Sequence, residues 1–158
     1  MFETIVVALD GSQCAVQAFD VALGLAKAEG SRMAIISVVD PILIAGTTPP
    51  SPASDLVLAD MEKRAQQFVD DAAARARKAG VVAAGEVHLG VPYEEILRCA
   101  RSHKASAIVI GTHGRGGIKR FFMGSVAESV LRAASCPVIV VREAEPANAP
   151  EKIAAGAA

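Results

Sequence analysis

An alternation along the chain constrains its fold more than any other feature. Five short apolar runs, at residues 4–9 (TIVVAL), 33–39 (MAIISVV), 81–89, 105–110 (ASAIVI) and 137–141 (PVIVV), are separated by stretches in which apolar residues recur every three or four positions. The first run is β-branched and unbroken by charge, which suits a central strand covered on both faces. After it, Val16, Phe19, Leu23 and Ala26 form a helical stripe ended by Gly30, with Ser12 as a candidate N-cap. Residues 46–52 (GTTPPSP) interrupt regular structure, because prolines lack the N–H donor and fix φ. Helical spacing returns from Asp55, with Leu58, Met61, Ala65, Phe68, Ala72 and Ala79 on one stripe and Gly80 as its stop. Pro92 opens a third helix, with Tyr93, Ile96, Leu97 and Ala100 as its buried face, and a fourth runs from Ser125 to Ala134. The order β-α-β-α-β-α-β-α-β predicts an α/β fold: a doubly wound, Rossmann-like, five-stranded parallel sheet with helices on both faces and right-handed crossovers.

Bulk properties narrow the class of function. A chain of 158 residues, 52% apolar and 21% charged, predicts one globular domain over residues 1–142 and a flexible Ala- and Pro-rich tail over 143–158. A formal charge of −1 gives no general attraction to nucleic acid or to an anionic membrane, so neither is expected as a partner. No run reaches bilayer-spanning length and the start MFETIVVALD lacks the features of a signal peptide, which predicts a cytoplasmic location. Cys14, Cys99 and Cys136 form no C-x-x-C pair and read as reduced, buried thiols.

In open parallel sheets, ligands sit beyond the carboxyl ends of the strands where the winding reverses. That rule selects Asp10, after the first strand, and the segment 111–129 (GTHGRGGIKRFFMGSVAES), after the fourth. This segment is neither a Walker A loop nor G-x-G-x-x-G. Its glycines permit positive φ and close backbone approach, and the helix start behind it offers unpaired N–H groups, so the two together suit a phosphate. Each side chain also has a plainer reading. Asp10 fits either an Asx turn or a ribose or metal contact. Ser125 fits either a capping box with Glu128 or a phosphate contact. Arg115 directly follows Gly114 and is the best placed cation for phosphate; Lys119 and Arg120 are equally well read as solvated. Phe121, Phe122 and Met123 are expected to anchor the loop in the core. His88, His103 and His113 show no metal-ligand spacing, so no zinc site is expected, although His113 lies within the loop.

The pattern G-x-x-G-x9-G-[ST], here GTHGRGGIKRFFMGS, strongly resembles the nucleotide-binding signature of the universal stress protein family. TIVVALDGS, IISVVD and CPVIVV also look like that family's first, second and last strands, so the resemblance covers most of the chain. It implies strand order 3-2-1-4-5, a homodimer, and membership of the branch that binds ATP. Carried over by position, Gly111 and Gly114 would approach ribose and phosphates, and Gly124, Ser125 and Val126 would hold phosphates. Ala8, Leu9, Asp10 and Val38 would line the adenine and ribose pocket, with Ile110 and Arg115 among the nucleotide contacts. Position 8 is alanine here where some relatives carry proline.

The expected function is therefore an ATP-binding stress or regulatory protein, with Mg²⁺ accompanying the nucleotide. AMP or cyclic AMP is the alternative ligand, since nothing in the sequence counts phosphates. Slow ATP hydrolysis would need a base and a positioned water, for which only Asp10 is at hand, so no catalytic residue is assigned. The strand Pro137–Val141 is expected at an edge, where pairing with a second subunit would cover it.

Overall fold

A computed structural model describes residues 1–42, 51–112 and 123–142. The elements follow the predicted alternation: β1 (Thr4–Ala8), α1 (Gln13–Glu29), β2 (Arg32–Val39), α2 (Pro52–Lys78), β3 (Ala83–Leu89), α3 (Pro92–Ser102), β4 (Ala107–Gly111), α4 (Ser125–Ala133) and β5 (Val138–Val141). All strand pairs are parallel and the order is β3-β2-β1-β4-β5. The chain thus winds outward from β1 to β3, returns across the sheet, and continues outward through β4 and β5. The reversal falls between β1 and β4.

β1 is the hub because its apolar residues serve both faces. Ile5 and Val7 join α1 and α2 in one core layer, while Val6 joins α3 and α4 in the other. All three are fully buried, which explains an apolar run without polar alternation. In the first layer α1 contributes Ala18, Phe19, Ala22 and Ala26, and α2 contributes Val69, Ala73 and Ala76. In the second, Ile96, Leu97, Cys99 and Ala100 of α3 meet Ala127 and Val130 of α4.

The helix faces depart from the predicted stripes in an instructive way. Val16 is 45% exposed and Leu23 is only partly buried; the buried side of α1 is built on Cys14, Ala15, Ala18, Phe19, Ala22 and Ala26. In α2, Phe68 is 37% exposed while its neighbour Val69 is fully buried. Alanine, with no side chain beyond Cβ, lets a helix lie close on a sheet, so the tightest stripe is carried by the smallest residues. Tyr93 is half-buried at the margin of the α3 face.

The helix starts also follow local chemistry. Ser12 caps α1 as expected, its hydroxyl accepting from the Ala15 amide at 3.1 Å. α2 begins earlier than Asp55: Pro52 stands in its first turn, and Ser51 and Ser54 form a reciprocal capping box. Most of the Pro-rich stretch 46–52 and all of the tail 143–158 lie outside the described residues. Among the described residues no helix is long and apolar enough to cross a membrane.

Candidate functional site

The switch point is assembled from three chain segments. Beyond β1, the Leu9 amide donates to the Ile36 carbonyl at 2.8 Å and keeps the strand in line. The backbone then turns sharply: Asp10 Oδ1 accepts from the Ser12 amide at 2.9 Å, and Gly11 takes a left-handed φ of 78°. The Asx-turn reading of Asp10 is thereby realised. Val7 pairs with Val109, so Leu9 and Gly111 finish level with one another across the reversal.

The third segment is the start of α4. Gly124 is its N-cap, with φ −63° and ψ 150° and no side-chain capping bond. Its amide donates to the Thr112 carbonyl at 2.6 Å, which sets the start of α4 beside the end of β4. Ser125 is the first helical residue, where the sequence places the helix start, and it is exposed; the capping-box alternative, which would make it the N-cap, is not realised. Glu128 turns away from the cap towards the next turn, accepting from Arg132 Nη2 at 2.6 Å. The competition for Ser125 is resolved against the capping box, and Glu128 is paired with Arg132 on the exposed face of α4.

Side-chain direction divides the predicted residues between the two faces. Ala8, Val38 and Val126 pack against the core layer shared by α3 and α4, and Ile110 is buried within it. Leu9 packs on the opposite layer. Gly111 has a steric reason to be glycine that the sequence did not show: a Cβ there would come within 2.9 Å of Cys14 Sγ and 3.0 Å of the Cys14 carbonyl carbon. Its missing side chain therefore faces α1. Thr112 is buried behind it, 3.5 Å from Cys14 Sγ, and donates its amide to the Val141 carbonyl at 2.8 Å. Gly114, Arg115, Lys119, Arg120, His113, Phe121 and Phe122 lie outside the described residues. Met123 is 39% exposed and does not anchor the loop in the core.

The family model for the universal stress protein family matches residues 1–142. The chain belongs to that family. It is 34% identical over 143 residues to a universal stress protein of Methanocaldococcus jannaschii, covering 90% of this chain and 84% of the relative. It also superposes on a universal stress protein family structure from Burkholderia pseudomallei with a TM-score of 0.70 and 34% identity, over 87% of this chain and 94% of the other. A universal stress protein solved in complex with cAMP is similar at a TM-score of 0.65 and 26% identity, over 89% and 97% of the two chains.

Within this universal stress protein fold, two other features stand apart from the switch point. A hollow of about 230 Å³, lined by Arg101, Lys104, Ala105, Ser135 and Cys136 among others, opens at the amino end of β4, at the opposite end of the strand from Gly111. The second is a polar cluster between β3 and α3, where His88 and His103, which show no metal-ligand spacing in the sequence, come together. His88 Nδ1 lies 2.9 Å from Glu95 Oε2 and its Nε2 lies 3.0 Å from Glu86 Oε2. His103 Nε2 contacts Glu86 Oε1, and Arg98 Nη1 lies 2.8 Å from Glu95 Oε1. Partial burial pushes the Glu86 carboxyl up, but the hydrogen bonds and charges of His103 and His88 outweigh this and leave its pKa lowered. Burial, helped by the Glu86 charge, raises the Cys99 thiol to about 12. The signal for this cluster was periodic: Glu86 and His88 are two apart on a strand, and His103 follows Cys99 by four residues as the cap of its helix, so each pair shares a face. Ligand motifs based on close sequence spacing miss such a pairing of strand with helix.

Proposed function

We propose that this universal stress protein binds an adenine nucleotide, ATP with Mg²⁺, in the crevice between the ends of β1 and β4, and acts as a nucleotide-dependent regulatory protein. The observation that carries this is the start of α4: a helix N-terminus opening on glycine without a side-chain cap, tied by the Gly124 amide to the Thr112 carbonyl beside the reversal point. The first turn of a helix presents backbone N–H groups and a partial positive charge, which suit a phosphate. Gly124, Ser125 and Val126 would hold the phosphates there, with Gly114 and Arg115 of the intervening loop completing the cradle and Gly111 offering backbone alone. Ala8, Val38 and Ile110 supply apolar surface on the α3 and α4 side for the adenine ring, and Leu9 and Asp10 border the ribose. Mg²⁺ would neutralise phosphate charge. Asp10 organises the β1–α1 turn through Oδ1, a role that does not make it a catalytic base.

A specific observation favours a second ligand, because a similar universal stress protein has been solved with cAMP. A single phosphate on the α4 terminus would use the same groups. Calorimetric titration with ATP-Mg²⁺, AMP and cAMP, on the wild-type protein and on Ser125→Asp, distinguishes these readings. A carboxylate at the first position of α4 favours the helix dipole, so stability holds or rises by about 0.3–1 kcal/mol. The same charge repels a bound phosphate and lowers nucleotide affinity about tenfold or more. Unchanged affinity in Ser125→Asp would remove the phosphate from α4.

The homodimer belongs to the same proposal. β5 is an edge strand whose four residues are all half-buried. The Ile108 amide of β4 and the Thr112 amide just beyond it donate to the Pro137 and Val141 carbonyls. The two-residue alternation of a parallel ladder therefore turns the backbone groups of Val138 and Val140 outward, where a second copy would pair with them.

A further inference from the structure

The geometry points to a divalent metal site of zinc type formed by Glu86, Cys99 and His103, separate from the nucleotide crevice. One carboxylate oxygen, Cys99 Sγ and one His103 ring nitrogen all lie within 4.8 Å of one another. A borderline-soft ion with mixed sulfur, nitrogen and oxygen ligands is Zn²⁺ in preference to Mg²⁺ or Ca²⁺, which take oxygen ligands. Tetrahedral angles and zinc bonds of about 2.0–2.3 Å require ligand atoms about 3.3–3.6 Å apart. The triangle reaches this spacing by opening the Glu86–His103 hydrogen bond and drawing both groups towards Cys99 Sγ. Glu86 and His103, both partly exposed, can make this movement by side-chain rotation, and they leave an entry path from solvent.

A second, independent feature is the support behind the ligands. Glu86 uses Oε1 towards His103, and its other oxygen is held by His88, which is in turn held by the buried Glu95, itself paired with Arg98. An outer shell of this kind orients a ligating carboxylate. Cys99 lies in the last turn of α3 and His103 is its C-cap, the His103 amide donating to the Cys99 carbonyl at 3.0 Å, and Cys99 is fully buried. A cysteine thiol ordinarily carries its proton at neutral pH, and the thiolate is the metal ligand. Binding therefore breaks the S–H bond, forms a metal–sulfur bond and releases that proton to buffer, while the metal replaces the Glu86–His103 hydrogen bond.

The test is titration of the purified, metal-free full chain with CoCl₂ and with ZnCl₂. Cobalt binding at one equivalent should give a thiolate-to-cobalt charge-transfer band and visible bands of tetrahedral form, both displaced by zinc. Zinc binding should release protons, read calorimetrically in two buffers of different ionisation enthalpy. The cobalt band should persist in Cys136→Ser and vanish in Cys99→Ser. His103→Ala and Glu86→Gln should weaken zinc, and His88→Gln, which removes support alone, should do so by roughly 10- to 100-fold. Absence of the band in wild-type protein, a reading that needs no variant to fold, would overturn the assignment. So would a band retained in Cys99→Ser and lost in Cys136→Ser.

Discussion

Gly111→Ala is predicted to destabilise the fold through helix packing. The added Cβ would sit 2.9 Å from Cys14 Sγ, 3.0 Å from the Cys14 carbonyl carbon and 3.1 Å from its oxygen. Rotation could relieve the sulfur contact, but Sγ already donates to the Val141 carbonyl at 3.1 Å and lies 3.5 Å from Thr112 Oγ1. The two backbone atoms belong to the first turn of α1 and move only if the helix lifts off the sheet. Overpacking of this kind costs about 1–3 kcal/mol, so we expect a loss of about 2 kcal/mol, a near thirtyfold fall in the folding equilibrium. Urea unfolding followed by far-UV circular dichroism reads this as a lowered midpoint at unchanged slope. For a domain of this size Tm should fall by about 4–8 °C. The double variant Cys14→Ala, Gly111→Ala should recover only part of the loss, since it removes the sulfur and leaves the backbone contacts. A loss below about 0.5 kcal/mol in Gly111→Ala would refute the claim that α1 sets the identity of this residue.

Three further outcomes are expected. Val140→Pro removes an outward-facing amide from edge strand β5 while leaving the β4 ladder in place; light scattering should show monomers with retained circular dichroism, and a dimer mass that survives would argue against pairing through β5. The lowered pKa of Glu86 means that its stabilising contribution is complete above the ordinary carboxylate value of 4.5 and is lost as pH falls through the still lower folded-state value. The acid-induced drop in urea midpoint should therefore be smaller in Glu86→Gln, and an identical pH profile would contradict this. Iodoacetamide on the native protein should label Cys136, the half-exposed thiol, before the buried Cys14 and Cys99; peptide mass spectra showing Cys99 labelled first would contradict its burial.

The layered architecture was readable because strands buried on both faces must be apolar throughout, and TIVVAL, MAIISVV and ASAIVI leave little alternative. Ser12 as a cap and Pro92 in the first turn of α3 were legible because each depends on local backbone chemistry. Which side of a helix meets the sheet was less so: the stripes through Val16 and Phe68 favoured large residues, whereas the sheet selects alanines that allow close approach. The start of α4 at Ser125 was legible, but whether Ser125 or Gly124 caps it was not, because S-x-x-E is a valid capping box in isolation; in the fold the Gly124 carbonyl accepts the first helical bond, from the Glu128 amide at 3.0 Å. The role of Gly111 depends on Cys14, distant in sequence. The cluster of Glu86, His88, Glu95, Cys99 and His103 joins a strand to the next helix, a relation that only the packed structure creates.

In the proposed function the crevice between β1 and β4 holds an adenine nucleotide on the start of α4. It is tested most directly by mass spectrometry of the small molecules released on denaturing freshly purified wild-type and Ser125→Asp proteins. The account predicts an adenine nucleotide from the wild type, ATP as the principal species, and a clear reduction from Ser125→Asp at equal folded protein. No adenine nucleotide from the wild type, together with no calorimetric heat on adding ATP-Mg²⁺, AMP or cAMP, would contradict it.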